Sequence, residues 1–305
     1  MTGPLSTQTQ ALLQPRIVAA FLIVALIWGS TWYVITGQIG TVPASWSIAW
    51  RFMLATPAMF VVARIMGRSL AIGRGGQALA VFIGLTQFCG NFNFVYRAEL
   101  HLTSGIVAVM FSLMIVTNAL LGRWLLGQRV TARFYLGGVV ALAGISLLLL
   151  HEARLSPLGG NVALGIAFAI GGILSASIAN VVQALPTGRA LPMVSLLAWS
   201  MLYGTGFDIA LAWFEHGAPV FPASPVFWAG LVWLALAGSV VTFPLYYTLI
   251  RTIGAGRAAY QNILVIVVAM VISTVLEAYE WTALSALGAV LALVGMAVAL
   301  RAKQA

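Results

Sequence analysis

The chain has 305 residues, of which 62% are hydrophobic and only 7% charged. A soluble fold of this size carries about 25% charged residues, so an aqueous domain is excluded as the main body of the protein. The formal charge of +9 does not indicate nucleic-acid binding. The basic residues are scattered among short connecting stretches, where orientation in a bilayer explains them better.

In chain order, Met1 to Arg16 is polar, Gln-rich and interrupted by Pro4 and Pro15, and is predicted to be a disordered cytoplasmic tail (1–16). The apolar run that follows is too long for a signal-peptide core and lacks a small-residue cleavage site, so it is expected to be retained as a first helix. Crossing the hydrocarbon core takes about 20 mainly apolar residues. That pattern recurs at Ile17–Thr36, Ala44–Met66, Ala78–Tyr96, Ser104–Leu121, Phe134–Leu150, Val162–Leu185, Met193–Phe214, Phe227–Ile250, Ala258–Leu276 and Ala283–Leu300. The expected fold class is therefore an all-α membrane protein of ten transmembrane helices. The single cysteine, Cys89, falls inside the third segment, so no intrachain disulfide is possible.

With the N-terminus in the cytoplasm, twelve of the fifteen basic residues fall on the inner side. Only Arg97 and Arg154 lie outside, and Arg51 lies within the second span. This is the positive-inside pattern, and it places both termini in the cytoplasm.

The chain repeats itself. "TARFYLGGVVALAGI" at 131–145 returns as "TALSALGAVLALVGM" at 282–296, matching Thr131, Gly137 and Gly144 to Thr282, Gly288 and Gly295. The same offset matches Phe92 to Phe243, Tyr96 to Tyr247 and Gly105 to Gly256. A slightly smaller one matches Pro43, Ala49 and Trp50 to Pro192, Ala198 and Trp199. Each half then holds five helices, and because five is odd the second half enters the membrane upside down. Arginines surround the first copy and Glu277 and Glu280 the second, which is the positive-inside rule acting on an inverted duplication. The expected organisation is a first repeat at 17–151, an external linker at 152–160, a second repeat at 161–301 and a cytoplasmic tail at 302–305. Inverted repeats suit a secondary transporter whose central cavity opens to one side and then the other.

The motifs "WGSTWYVI" (28–35), "AWRFMLA" (49–55), "LLGQRVTARFYLGGVVALAGI" (125–145) and "YYTLIRTIGAGRAA" (246–259) resemble the drug/metabolite transporter superfamily in its ten-helix, two-EamA-domain form. Gln128 stands where glutamate is common in that family's closing phrase. Within the superfamily the chain looks most like the aromatic amino-acid exporters of the YddG type. The resemblance implies export of amino acids or similar small metabolites across a bacterial inner (plasma) membrane.

Polar groups inside membrane spans are costly unless partnered, so they mark candidate binding residues. They are Gln87, Asn91 and Tyr96 in the third segment, Asn180 in the sixth, Thr242 and Tyr246 in the eighth, and Tyr260 and Asn262 in the ninth, with Trp28 in the first. The competing reading is that such amides and hydroxyls only fasten helices together. Trp46, Trp213, Trp228 and Trp281 sit near predicted outer ends and read as interfacial anchors. Arg51 and Asp208 lie at similar depth, roughly 10 Å from the outer end, and are read as a gate or an ion pair. Pro244, Gly105 and Gly256 are candidate hinges. The small residues Gly137, Ala141 and Gly144, with Gly288, Ala292 and Gly295, are expected to let helices approach closely within each half, with dimerisation through the fifth and tenth helices as the alternative.

The first segment, "VALIWGSTWY", lacks the glutamate that small multidrug exporters of the same superfamily use for cations and protons. The three histidines fall at segment ends, and no metal-ligand spacing or phosphate loop is present, which argues against an enzyme. No metal or cofactor is expected. The expected partners are a small-molecule substrate and the lipid bilayer, with no nucleic acid, and the chain a monomer or weak homodimer. A nucleotide-sugar, drug-like compound or other organic anion is the alternative substrate, and an anion would want buried Lys or Arg in the cavity. Saturation and trans-stimulation of flux separate a transporter from a passive channel.

Overall fold

The structure, a computed structural model, describes residues 14–40, 42–127, 131–155, 160–253 and 261–301. The described residues are helical apart from short connections and one isolated bridge between Ile39 and Val42. The helices are α1 (Pro15–Thr36), α2 (Ala44–Ile65), α3 (Gly73–Ala98), α4 (Ser104–Leu125), α5 (Ala132–Leu155), α6 (Val162–Gln183), α7 (Met193–His216), α8 (Pro225–Leu249), α9 (Gln261–Leu276) and α10 (Ala283–Arg301). A single turn at Pro186–Arg189 precedes α7. Eight of these helices are long and apolar enough to cross a membrane, while α9 and α10 are shorter apolar helices. A helix satisfies its backbone polar groups internally, as the hydrocarbon core demands.

Helix boundaries carry local signals. The Asn161 side chain accepts from the Leu164 amide at the start of α6 (3.1 Å), and Ser224 caps α8 ahead of Pro225. Gly127 closes α4 in the left-handed region at φ 66°, which only glycine enters without strain.

The helices alternate in direction. One end of the bundle carries Arg64, Arg68, Arg74, Arg123 and Arg189; the other carries Glu99, Glu215, Glu277 and Glu280. At the arginine-rich end Trp199 Nε1 donates to the Leu70 carbonyl (2.9 Å) and Tyr203 bonds Gln77 (3.0 Å). At the glutamate end Arg97 pairs with Glu215 (2.7 Å). These contacts run α3 and α7 side by side. One core cluster, around Phe52, Met59, Phe88 and Met201, joins α2, α3, α7 and α8. A second, around Leu102, Ile106, Leu148 and Ile266, joins α4, α5, α6, α9 and α10.

The glycine stripes act between halves and not within them. A Cβ built on Gly137 would lie 2.6 Å from the Gly295 carbonyl oxygen, and one on Gly144 would lie 2.5 Å from that of Gly288. The crossing of α5 and α10 thus brings backbone against backbone, which no side chain permits. The expectation of packing within each half is corrected accordingly. The same faces are consumed by this crossing and are not free to dimerise.

The α-helical ladder is interrupted at matching places. Gly84–Asn91 in α3 and Trp233–Val241 in α8 are π-helical. Hydropathy did not signal these segments. In α8 the widened stretch precedes Pro244, whose ring and missing N–H disturb the ladder one turn back. α4 tightens to a 3₁₀ turn at Phe111–Leu113.

Candidate functional site

A cavity of about 130 Å³ lies between α1, α2, α3, α4, α6, α8 and α9. Its wall grades from half-buried residues (Met114, Asn180, Tyr246, Asn262) to fully buried ones (Ile35, Arg51, Val95). The half-buried residues lie on the side of the arginine-rich helix ends. The most buried of the lining residues, Arg51 among them, lie toward the glutamates. Its volume is close to the roughly 150 Å³ that accommodates a benzene ring. Trp28, Trp32, Phe111, Phe243 and Tyr246 give it an aromatic lining. Trp28 packs on Phe243 and Tyr246 with centroids 5.6 and 5.0 Å apart.

The π-helical segments position this wall. A widened turn leaves carbonyls available to side chains. In α8 the Gly238 carbonyl accepts from Trp28 Nε1 (3.1 Å) and from Thr242 Oγ1 (2.7 Å), and the Leu234 carbonyl accepts from Ser239 Oγ (3.0 Å). In α3 the Thr86 carbonyl accepts from Ser175 Oγ of α6 (2.8 Å). Trp28 is thereby fixed in the cavity with its indole N–H already spent. α9 is held to α1 at Gly29, where an added Cβ would meet Val268 at 2.5 Å. With its amide oriented to satisfy both groups, Gln261 also donates to the Phe21 carbonyl and accepts from the Ala25 amide.

Arg51 is the one charged side chain among the described lining residues. Its Nε and one terminal nitrogen donate to Ser239 Oγ (3.3 and 3.2 Å), and the other reaches the Tyr96 hydroxyl at 3.5 Å. Its guanidinium carbon lies 4.3 Å from the Phe92 ring centroid, a cation–π distance. Asp208 is elsewhere. It is completely buried and accepts from Asn93 Nδ2 at 2.8 Å, beside Cys89. Arg51 and Asp208 form no ion pair with each other among the described residues.

Beyond Arg51 the glutamate end is closed. Glu277 accepts from Ser104 Oγ (2.6 Å), tying the end of α9 to the start of α4. Gly105 lets these helices touch, since an added Cβ would meet Met270 Sδ at 2.8 Å and Ser273 Cβ at 2.9 Å. Glu99, in the α3–α4 turn, is 2% exposed and neither carboxyl oxygen has a hydrogen-bond partner in the structure. Burial, and then the charge of Glu277, push the Glu99 carboxyl well above the usual carboxylate range, against a smaller downward pull from Arg51.

Of the residues singled out from the sequence, Trp28, Gln87, Asn91, Asn180, Tyr246, Asn262 and Arg51 meet on the cavity wall. Tyr96 is fully buried behind Arg51 and Thr242 is turned back onto its own helix, so both support the wall without lining it. Asp208 likewise stands off the cavity. Pro244 follows the π-helical stretch of α8, and Gly105 sits at a close helix contact. Tyr260 and Gly256 lie outside the described residues. The sequence reading passed over Trp32, Phe92, Phe111 and Met114, which have the composition of ordinary core.

A helical bundle with a polar-studded, aromatic central cavity defines a multi-pass membrane protein that handles a small molecule. The profile of the EamA-like transporter family matches residues 15–150 and again 163–301. The chain belongs to this family of the drug/metabolite transporter superfamily; it is a membrane transporter and not an enzyme. It is 26% identical over 290 residues to a "Probable amino-acid metabolite efflux pump" of Escherichia coli K12, covering 90% of this chain and 91% of that one. It is 26% identical over 136 residues to "Protein PagO" of Salmonella typhimurium, and 23% identical over 138 residues to an "Uncharacterized transporter" of Buchnera aphidicola. Those two matches span 45% and 46% of the relatives' length. A solved crystal structure shares the fold with a TM-score of 0.68 at 18% identity, over 95% of this chain and 96% of its own.

Proposed function

We propose that this protein exports amino acids, aromatic ones among them, or similar small metabolites across a bacterial inner membrane by alternating access. The observation that carries the reading is the cavity itself. It is ring-sized and aromatic-lined, with uncharged amides on its wall and one buried cation, and in this reading it opens toward the arginine-rich end, where its less buried wall residues lie. By the positive-inside rule that end is cytoplasmic, so the protein stands ready to load substrate from within. The name of the Escherichia coli relative points the same way.

Alternating access rests on the two family matches read as inverted five-helix repeats, a first at 17–151 and a second at 161–301, making ten spans with both termini in the cytoplasm. Two glycine contacts that the repeat maps onto each other, Gly137 with Gly295 and Gly144 with Gly288, and π-helical segments at matching places support that symmetry. Arg51, Tyr96 and the Glu99–Glu277 region form the external barrier in this reading, with Asp208 a buried support of α3. The chain acts without cofactor or nucleic acid, as a monomer or weak homodimer. A nucleotide-sugar is disfavoured, because a single arginine does not match its diphosphate.

The test is uptake of labelled tryptophan, phenylalanine and threonine into proteoliposomes, wild type beside Asn91→Ala. Saturable flux, stimulated by substrate on the far side and lost in the variant, is expected. Flux no greater than in empty vesicles, with or without a pH gradient, refutes the reading.

A further inference from the structure

We infer that Arg51 holds the substrate carboxylate, so that the cavity takes amino acids as zwitterions and refuses the corresponding amines and amides. This inference rests on the amino-acid reading above and adds the chemistry by which the site selects.

The guanidinium has five N–H donors in a planar fork. Its hydrogen-bond partners are the neutral hydroxyls of Ser239 and Tyr96, and Ser239 alone takes two of the three bonds. Ser239 gives its own proton to the Leu234 carbonyl and so faces Arg51 as an acceptor. Donors therefore remain for an anion. The buried carboxyls of the bundle do not occupy them: Asp208 is engaged by Asn93, and neither Glu99 oxygen accepts a hydrogen bond. A cation 98% withdrawn from solvent without a hydrogen-bonded counter-ion is expensive, and a ligand carboxylate offsets that cost through bidentate, charge-assisted bonds.

The rest of the wall suits the other end of a zwitterion. Asn91, 5% exposed and on the wall, has a side-chain carbonyl with no partner, an acceptor for an ammonium group. No Asp or Glu is among the described lining residues. An amine lacking a carboxylate would bring a second positive charge toward Arg51 with no carboxylate on the described wall to balance it. The repeat position of Arg51 at the smaller offset is Ser200, so the second half brings no matching charge and the site is polar in one direction.

The experiment is counterflow of labelled phenylalanine in proteoliposomes, competed by phenylalanine, phenylalaninamide and phenethylamine, in wild type, Arg51→Lys and Arg51→Gln. In wild type the amide and the amine should compete at least tenfold more weakly than phenylalanine. Arg51→Lys should keep that order with a raised half-saturation concentration, and Arg51→Gln should raise it tenfold or more and erase the discrimination. Equal competition by all three in wild type overturns the inference while leaving an amino-acid transporter standing, and needs no variant to fold. An unchanged half-saturation in Arg51→Gln overturns it too. Absence of any phenylalanine, tryptophan or threonine flux in wild type overturns the amino-acid reading and this inference with it.

Discussion

The hydroxyls of Thr56 and Thr205 lie 3.0 Å apart in the buried contact of α2 with α7. The two residues are separated by the same offset that matches Pro43, Ala49 and Trp50 to their counterparts, so each meets its own repeat mate. Such a meeting is required of residues on a two-fold axis. Thr205 donates to the Met201 carbonyl (2.7 Å), which leaves Thr56 as donor in the pair. Thr56→Val should cost about 0.6–1.7 kcal/mol, the range for interhelical bonds in membranes. A double-mutant cycle with Thr205→Val, read by unfolding in detergent, should show coupling; additive losses would mean that the pair contributes nothing.

The α5–α10 crossing makes a stronger demand. Gly144 and Gly288 face each other's carbonyls, as do Gly137 and Gly295. Gly144→Val or Gly295→Val should force the helices apart by more than a side-chain shift can absorb, with a loss of 3 kcal/mol or more at the order-of-magnitude level. Folded yield by size-exclusion chromatography is the readout. Gly206, with open space where a Cβ would go, is the control. Gly206→Ala should leave the fold intact and stabilise it by up to about 1 kcal/mol.

Hydropathy and the Gly, Pro and Tyr matches were enough to read the helices and their duplication, because span length and close helix contact each demand a restricted residue type. The polar part of the cavity was legible for the same reason: amides such as Gln87, Asn91 and Asn262 are rare in spans and stand out. Its aromatic part was not, since Trp32 and Phe111 look like core wherever they fall. Arg51 and Asp208 show the further limit. Counting residues fixes height along a helix but not which neighbour the side chain meets. The two lie at similar depth yet face different groups, Ser239 and Asn93. The π-helical turns escaped because one extra residue in a turn leaves hydropathy unchanged while rotating everything after it.

Asp208 offers a test of structural support apart from transport. One of its carboxyl oxygens accepts a hydrogen bond from the Asn93 amide inside a completely buried contact. Asp208→Asn should be well tolerated, because the new side-chain carbonyl can still accept from Asn93. Asn93→Leu should be worse, by about 1–3 kcal/mol, because it strips a buried carboxyl oxygen of its donor. Thermal unfolding in detergent ranks the two; the reverse order would mean that Asp208 and not its hydrogen bond matters.

Glu99 makes closure of the glutamate end sensitive to pH. Its carboxyl is raised in the folded protein by burial first and by Glu277 second, with Arg51 opposing. A raised folded value means that the native state binds more protons than the unfolded one between the ordinary value of 4.5 and the raised value. The stabilisation is therefore fully present below 4.5 and declines as pH rises through the folded value. Deprotonated, Glu99 would sit buried beside Glu277 with no hydrogen-bond donor, and the α3–α4 turn would be driven away from the end of α9. Hydrogen exchange in the first two turns of α4, at Ser104–Met110, should accelerate with pH by more than the intrinsic chemistry predicts. Glu99→Gln should remove that excess and hold the end closed at high pH. An excess that survives in Glu99→Gln would show that Glu99 is not its source.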